Sequence, residues 1–225
     1  MKYIHIMLYS RFTQAIADFV TEHLHTAASL TIHGALDGLS DDQLRAMEAK
    51  PIAKGVPVEL NDGSYLYVDH DQIDAIARTR IEQLQAQGNE TVLMCCTLPW
   101  PSLENMPGVI CPSPVLEANA MALLPKGGTL GVIQPYEETS KEEIKHWLAL
   151  GPSVIARTVS AHDQSPQHLT QAVTQLIDEG CDLIVLDCLE FTREHLAAIR
   201  QITHKPVILP ISLLGNILNE AYGPF

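Results

Sequence analysis

Short apolar runs alternate with amphipathic stretches along nearly the whole chain. YIHIMLY, from Tyr3, reads as a strand, and TQAIADFVTEHL, from Thr13, as a helix. LTIHGAL is strand. SDDQLRAMEA is helix, with Ser40 placed to cap it, because a serine oxygen accepts an otherwise unpaired amide of the first turn. VPVEL and SYLYV flank Asn61-Asp62-Gly63, residues that tolerate the positive φ of a tight hairpin turn. From Asp71 to Gly88 the spacing of Ile73, Ile76, Ala77, Ile81 and Leu84 gives a helix one apolar face, and Gly88 stops it. TVLMCC and GVICPS are strands, and PVLEANAMALL is a helix.

The second half keeps the rhythm. TLGVIQP is strand, and TSKEEIKHWLAL is helix, opened by a capping box from Thr139 to Glu142. SVIARTVS is strand. The next helix has Ser165 as cap, Pro166 at its first position and Gly180 as stop. DLIVLDC is strand, TREHLAAIRQI helix and PVILPIS strand, and the tail is helical. Helices that alternate with buried apolar strands imply an α/β protein with mainly parallel sheets. The expected division is a lobe over 1–112 with a hairpin near 56–68 and a second lobe over 113–207. A segment over 208–225 returns to pack on the first lobe. PKGG at 125–128 is the clearest break in pattern.

The halves also match in detail. Gln83, Leu84 and Gly88 correspond to Gln175, Leu176 and Gly180, and the apolar Val92, Leu93 and Met94 to Ile184, Val185 and Leu186. Cys96 then falls opposite Cys188, each eight residues after its glycine. Such a repeat implies two lobes related by pseudo-symmetry. Ligands of open α/β sheets sit beyond the carboxyl ends of the strands, so two facing lobes would put Cys96 and Cys188 on opposite walls of one cleft. Taken singly, either thiol reads as core, since free cysteine is among the most buried residue types. The matched pair is what points to chemistry. Neighbouring strand residues face opposite ways; the repeat register selects Cys96 and leaves Cys95 to the core, and a twist at the strand end would reverse the two. Cys111 and Cys181 read as packing.

Charge narrows the partners. The 225 residues carry 14 Lys+Arg against 27 Asp+Glu, a formal net charge of -13. That argues against nucleic acid or an anionic membrane surface, which need clustered cations. A pocket can still be locally positive, so an anionic small substrate fits. No secretory signal or membrane-length apolar run is read, and five cysteines without framework spacing suit a reducing cytoplasm. With no CxxC or HExxH spacing, no metal is expected.

GCDLIVLDCLEF resembles the second-cysteine motif of the Asp/Glu/hydantoin racemase superfamily, and GNETVLMCCT its first-cysteine segment. Arg11 after the first strand, ALDGLSDDQL, the hairpin VELNDGSYLYV, LGVIQPYEE and IVLDCLEF together resemble the AroM family within that group, over nearly the full length. The resemblance implies two flavodoxin-like lobes with the active site between them. It also implies a racemase-type reaction free of pyridoxal phosphate, metal or any other cofactor, and a homodimer, since relatives commonly dimerise. One thiolate would remove the proton alpha to a carboxylate and the other thiol would deliver a proton to the opposite face, as inversion requires. The thiolate is the reactive form, and a helix N-terminus beside each strand end would lower its pKa. Leu189 stands where the superfamily has a threonine, and YSRF replaces the Asp-Ser-Gly loop of glutamate racemases, so the substrate need not be glutamate.

Further candidates follow from position. Ser10 and Arg11 end the first strand, where the guanidinium would clamp a carboxylate. Thr97 would supply the hydroxyl that Leu189 lacks. Gln134 and Tyr136 end the strand TLGVIQP at the same edge, and Glu190 would tune Cys188. The leading expectation is a cofactor-independent racemase or epimerase acting on a small carboxylate or hydantoin-like compound. The alternatives are a one-cysteine isomerase or decarboxylase on the same scaffold, and a binding protein without activity.

Overall fold

The computed structural model describes residues 3–88, 91–163 and 165–223. Asn89 and Glu90 of the first-cysteine segment lie outside the described residues, as do the chain ends included in the expected lobe ranges. The chain opens with β1 (Tyr3–Leu8), buried from its second residue on, and α1 (Gln14–His23), whose cap Thr13 accepts the Ile16 N–H at 3.2 Å. β2 (Ser29–Gly34) and α2 (Asp41–Ala46) follow. Ser40 caps α2 in a full capping box with Gln43. A short 3-10 turn (Ile52–Lys54) leads into the hairpin of β3 (Gly55–Glu59) and β4 (Tyr65–Asp69), turned by Gly63 at φ +81°. Then come α3 (His70–Ala86), β5 (Val92–Cys95), β6 (Val109–Ile110) and α4 (Pro112–Leu123). The second half is β7 (Thr129–Gln134), α5 (Glu137–Ala149), β8 (Ser153–Thr158), α6 (Pro166–Asp178), β9 (Leu183–Leu186), α7 (Arg193–Ile202), β10 (Val207–Ile208) and α8 (Pro210–Tyr222).

The strands form two four-stranded parallel sheets, β2-β1-β5-β6 and β8-β7-β9-β10, beside the two-stranded hairpin. Counted within its own half, each sheet reads 2-1-3-4. The protein is therefore an α/β fold of two lobes with one strand order, and β5 and β9 are equivalent third strands. The topological switch, where ligands gather, falls between the first and third strands of each sheet.

One apolar core joins the lobes. Ile4, Ile6 and Leu93 of the first sheet share it with Ile133, Ile184 and Leu186 of the second. The opposite face of the first sheet packs under α3 and the hairpin, and that of the second under α4 and α5. α8 lies on the first lobe: Asn219 accepts the Ala27 N–H and donates to the His25 carbonyl, both at 2.7 Å.

Two expected local features differ. α5 starts at Glu137, two residues before the expected box, and the Thr139 hydroxyl instead donates along the helix to the Glu143 carboxyl. The strand expected over PVILPIS keeps only Val207 and Ile208, because Pro210, which cannot donate to a ladder, serves as the first residue of α8.

Candidate active site

A cleft of about 360 Å³ opens at the carboxyl ends of the strands. β5 delivers Cys95 and Cys96 to it, β9 delivers Asp187 and Cys188, β1 delivers Ser10 and Arg11, and β7 delivers Tyr136. Counted from the last ladder residue, Cys96 is the first residue beyond β5 and Cys188 the second beyond β9. Cys96 thus continues the face of Met94, and Cys188 that of Leu186 in the inter-lobe core. Cys95, placed in the core by the repeat register, lines the cleft too and is less buried than Cys96.

The two thiols share a further feature. Each accepts the backbone N–H of the residue two places on, Leu98 for Cys96 and Glu190 for Cys188. Those contacts favour the thiolate, but burial wins at both positions and pushes both thiols well above the usual range. Glu190 raises Cys188 further, and Cys96 adds to it. Burial, with Glu190, also lifts Cys95 to about 12. The expectation of pKa-lowering helices is corrected here. The helix that follows Cys96 begins only at Pro112; α7 begins soon after Cys188, at Arg193, yet burial still raises that thiol. Helix starts beside the cleft include those of α1, through Thr13 and Ile16, α5, through Tyr136, and α8, through Ile211.

Glu190 stands between two partners. Its Oε2 lies 3.9 Å from the Cys188 sulfur and 3.2 Å from His162 Nε2, and this contact raises the His162 pKa. Thr97 donates its hydroxyl to the Asp187 carbonyl at 3.2 Å, tying one lobe to the other beside both thiols. The Asp187 carboxylate accepts the Trp147 indole N–H at 2.7 Å; burial raises its pKa, and Oδ1 has no partner among the described residues.

Two expected roles are changed. Arg11 lines the cleft, but its guanidinium is held by Asp41 and by Asn61 of the hairpin turn, at 2.9 Å for the latter, and its buried Nε has no partner among the described residues. Asp41 and Asn61 thus take one N–H from each terminal nitrogen, so Arg11 is a shared cation at the cleft rather than a free one. Gln134 does not reach the cleft. Ile133 faces the inter-lobe core, so strand alternation turns Gln134 under α5, fully buried with neither amide atom paired among the described residues. Ser10 lines the cleft with its hydroxyl donating to the Arg11 carbonyl at 3.1 Å.

Tyr9, Tyr65, Glu143, Asp187 and His162 also line the cleft and were not singled out in the sequence. Asp187 carried a signal, a carboxylate inside the apolar run before Cys188. His162 carried none, because its loop sets its position. Among the described residues, no group of three or more His, Cys, Asp or Glu side chains could hold a metal ion. No helix among them is long and apolar enough to cross a membrane.

The fold opens both switch points on one cleft. Three solved structures share the fold. An unliganded arylmalonate decarboxylase matches with TM-score 0.60 and 11% identity, over 100% of this chain and 93% of that one. The maleate isomerase Iso from Pseudomonas putida S16 matches with TM-score 0.62 and 14% identity, over 98% and 92%. Glutamate racemase from Francisella tularensis subsp. tularensis SCHU S4, in complex with D-glutamate, matches with TM-score 0.57 and 11% identity, over 98% and 80%. At these identities the likeness is one of fold. No curated protein matches by sequence. The chain belongs to the AroM family: residues 13–222 match the family described as AroM protein.

Proposed function

We propose that the protein is a cofactor-independent racemase- or epimerase-type isomerase with Cys96 and Cys188 as its two acid–base groups. The observation that carries this reading is the delivery of both thiols to one cleft from equivalent strands of the two lobes, each with a backbone N–H at its sulfur. One cysteine, as thiolate, takes the α-proton. The C–H electron pair moves into the adjacent carbonyl or carboxylate. The other cysteine, as thiol, gives its proton to the opposite face, so thiol and thiolate exchange places and the stereocentre inverts.

Both thiols rest protonated, so one must first give up its proton, and Glu190, whose Oε2 lies 3.9 Å from the Cys188 sulfur, is the carboxylate placed to take it. The Leu98 and Glu190 amides are the groups placed to receive the thiolate. Neutral phenols at Tyr9 and Tyr136, both held well above the usual tyrosine range by burial, are placed to donate to substrate oxygen, and Arg11 Nε adds one N–H. The test is α-proton exchange with solvent deuterium, followed with each cysteine replaced in turn.

One observation favours a second reading. The thiols are not equivalent: Cys188 faces Glu190 and His162, while Cys96 is more buried and sits near Glu143 and Asp187. A one-cysteine reaction, such as protonation of an enediolate after decarboxylation, would use Cys188 alone. Loss of activity in Cys188→Ala with full activity in Cys96→Ala would select it. Ligand binding without proton exchange, and unaffected by either substitution, would select a non-catalytic binding protein.

A further inference from the structure

The cleft is short of positive charge. Among the described residues lining it, Arg11 is the sole arginine, held by Asp41, and no lysine is present. The His162 imidazole is engaged by Glu190. Against these stand the carboxyl groups of Glu59, Glu143, Asp187 and Glu190. Burial, the main cause, pushes Glu143 up to about 7 and raises Asp187, so even resident acids resist ionising here. Much of the remaining wall is apolar or aromatic, with Leu8, Ile16, Phe19, Val20, Ile211 and three tyrosines.

We infer that the cleft takes a small molecule with no more than one carboxylate and an uncharged, apolar substituent on its reacting carbon, and rejects dicarboxylates. This rests on reading the cleft as a proton-transfer site. The single carboxylate or carbonyl meets the Arg11 N–H and the phenols. An amine on the same carbon is favoured by Glu190, whose charge already acts on His162 and Cys188. A second carboxylate finds no free cation and meets like charge in a poorly solvated pocket, which lowers affinity by about ten-fold or more.

The test uses the Cys96→Ser/Cys188→Ser double variant, so that binding is read without turnover. Phenylacetate and phenylmalonate form a matched pair that differs by one carboxylate, and ligand-observed NMR gives both affinities near neutral pH. The expected result is binding of phenylacetate at least about ten-fold tighter, with the gap narrowed by Glu190→Gln. Equal or tighter binding of phenylmalonate overturns the inference, and so does failure of phenylacetate, phenylalanine and its hydantoin all to bind. The two readings fail separately. Binding of phenylalanine without α-proton exchange by the wild type sinks the isomerase and leaves the substrate class standing. Exchange on glutamate or aspartate through both cysteines does the reverse.

Discussion

At the residue scale, the site is a set of groups that burial holds in their uncharged forms. Cys96, Cys188, Tyr9 and Tyr136 are all pushed up by loss of solvent, and Glu190 adds its charge against the Cys188 thiolate. Removing that charge has a definite sign. Glu190→Gln lowers the Cys188 pKa, so alkylation of Cys188 by iodoacetamide at mildly alkaline pH becomes several-fold faster. The same change lowers the His162 pKa, because its raising partner is lost. Peptide mass spectrometry reads the first effect and a histidine NMR titration the second; slower alkylation would contradict the electrostatic account. That cysteines from both halves and Glu190 reach one cleft was legible in the sequence, since the repeat matches the two strand ends; that Cys95 reaches it as well was not. The engagement of Arg11 by Asp41 and Asn61 was not, because it depends on where the hairpin turn folds back.

At the element scale, the alternation of apolar runs and amphipathic helices placed most strands and helices. Elements were misread where one residue overrides a pattern. The apolar run after Val207 keeps strand character in composition, yet proline geometry makes it a helix start. The one-residue offset between β5 and β9 was also hidden, because glycine-to-cysteine spacing does not report where a ladder ends. α8 offers a direct test of how the last segment is held. A Cβ on Gly215 would sit 1.7 Å from the Leu24 carbonyl oxygen at the end of α1, a backbone atom that cannot step aside. Gly215→Ala should therefore cost several kcal/mol or prevent folding. Denaturant unfolding with a wild-type midpoint would show that α8 does not pack there.

At the scale of the whole molecule, two lobes of one strand order meet across a shared core; Glu143 lines the cleft between them, while His33 pairs with His5 inside the first lobe. Their linkage to stability has opposite signs. Burial raises Glu143 to about 7, so the folded state holds a proton that the unfolded state has released, and stability is lost as pH rises from about 4.5 to 7. Burial first, and His5 next, lower the pKa of His33, whose ring nitrogen lies 2.9 Å from that of His5. Its contribution is present above about 6.5 and is lost as pH falls. Glu143→Gln should thus raise the melting temperature relative to wild type by several degrees more near pH 8 than near pH 5. A difference independent of pH would mean that Glu143 is not buried as a neutral acid.

The central claim is that two thiols, one from each lobe, share a single proton-transfer step, and α-proton exchange in heavy water tests it most directly. Apolar amino acids and their hydantoins are incubated with the protein, and the α-proton is followed by NMR. The account predicts deuterium incorporation by the wild type and a drop of at least about a hundred-fold in both Cys96→Ala and Cys188→Ala. Wild-type rates of exchange in both variants would contradict it.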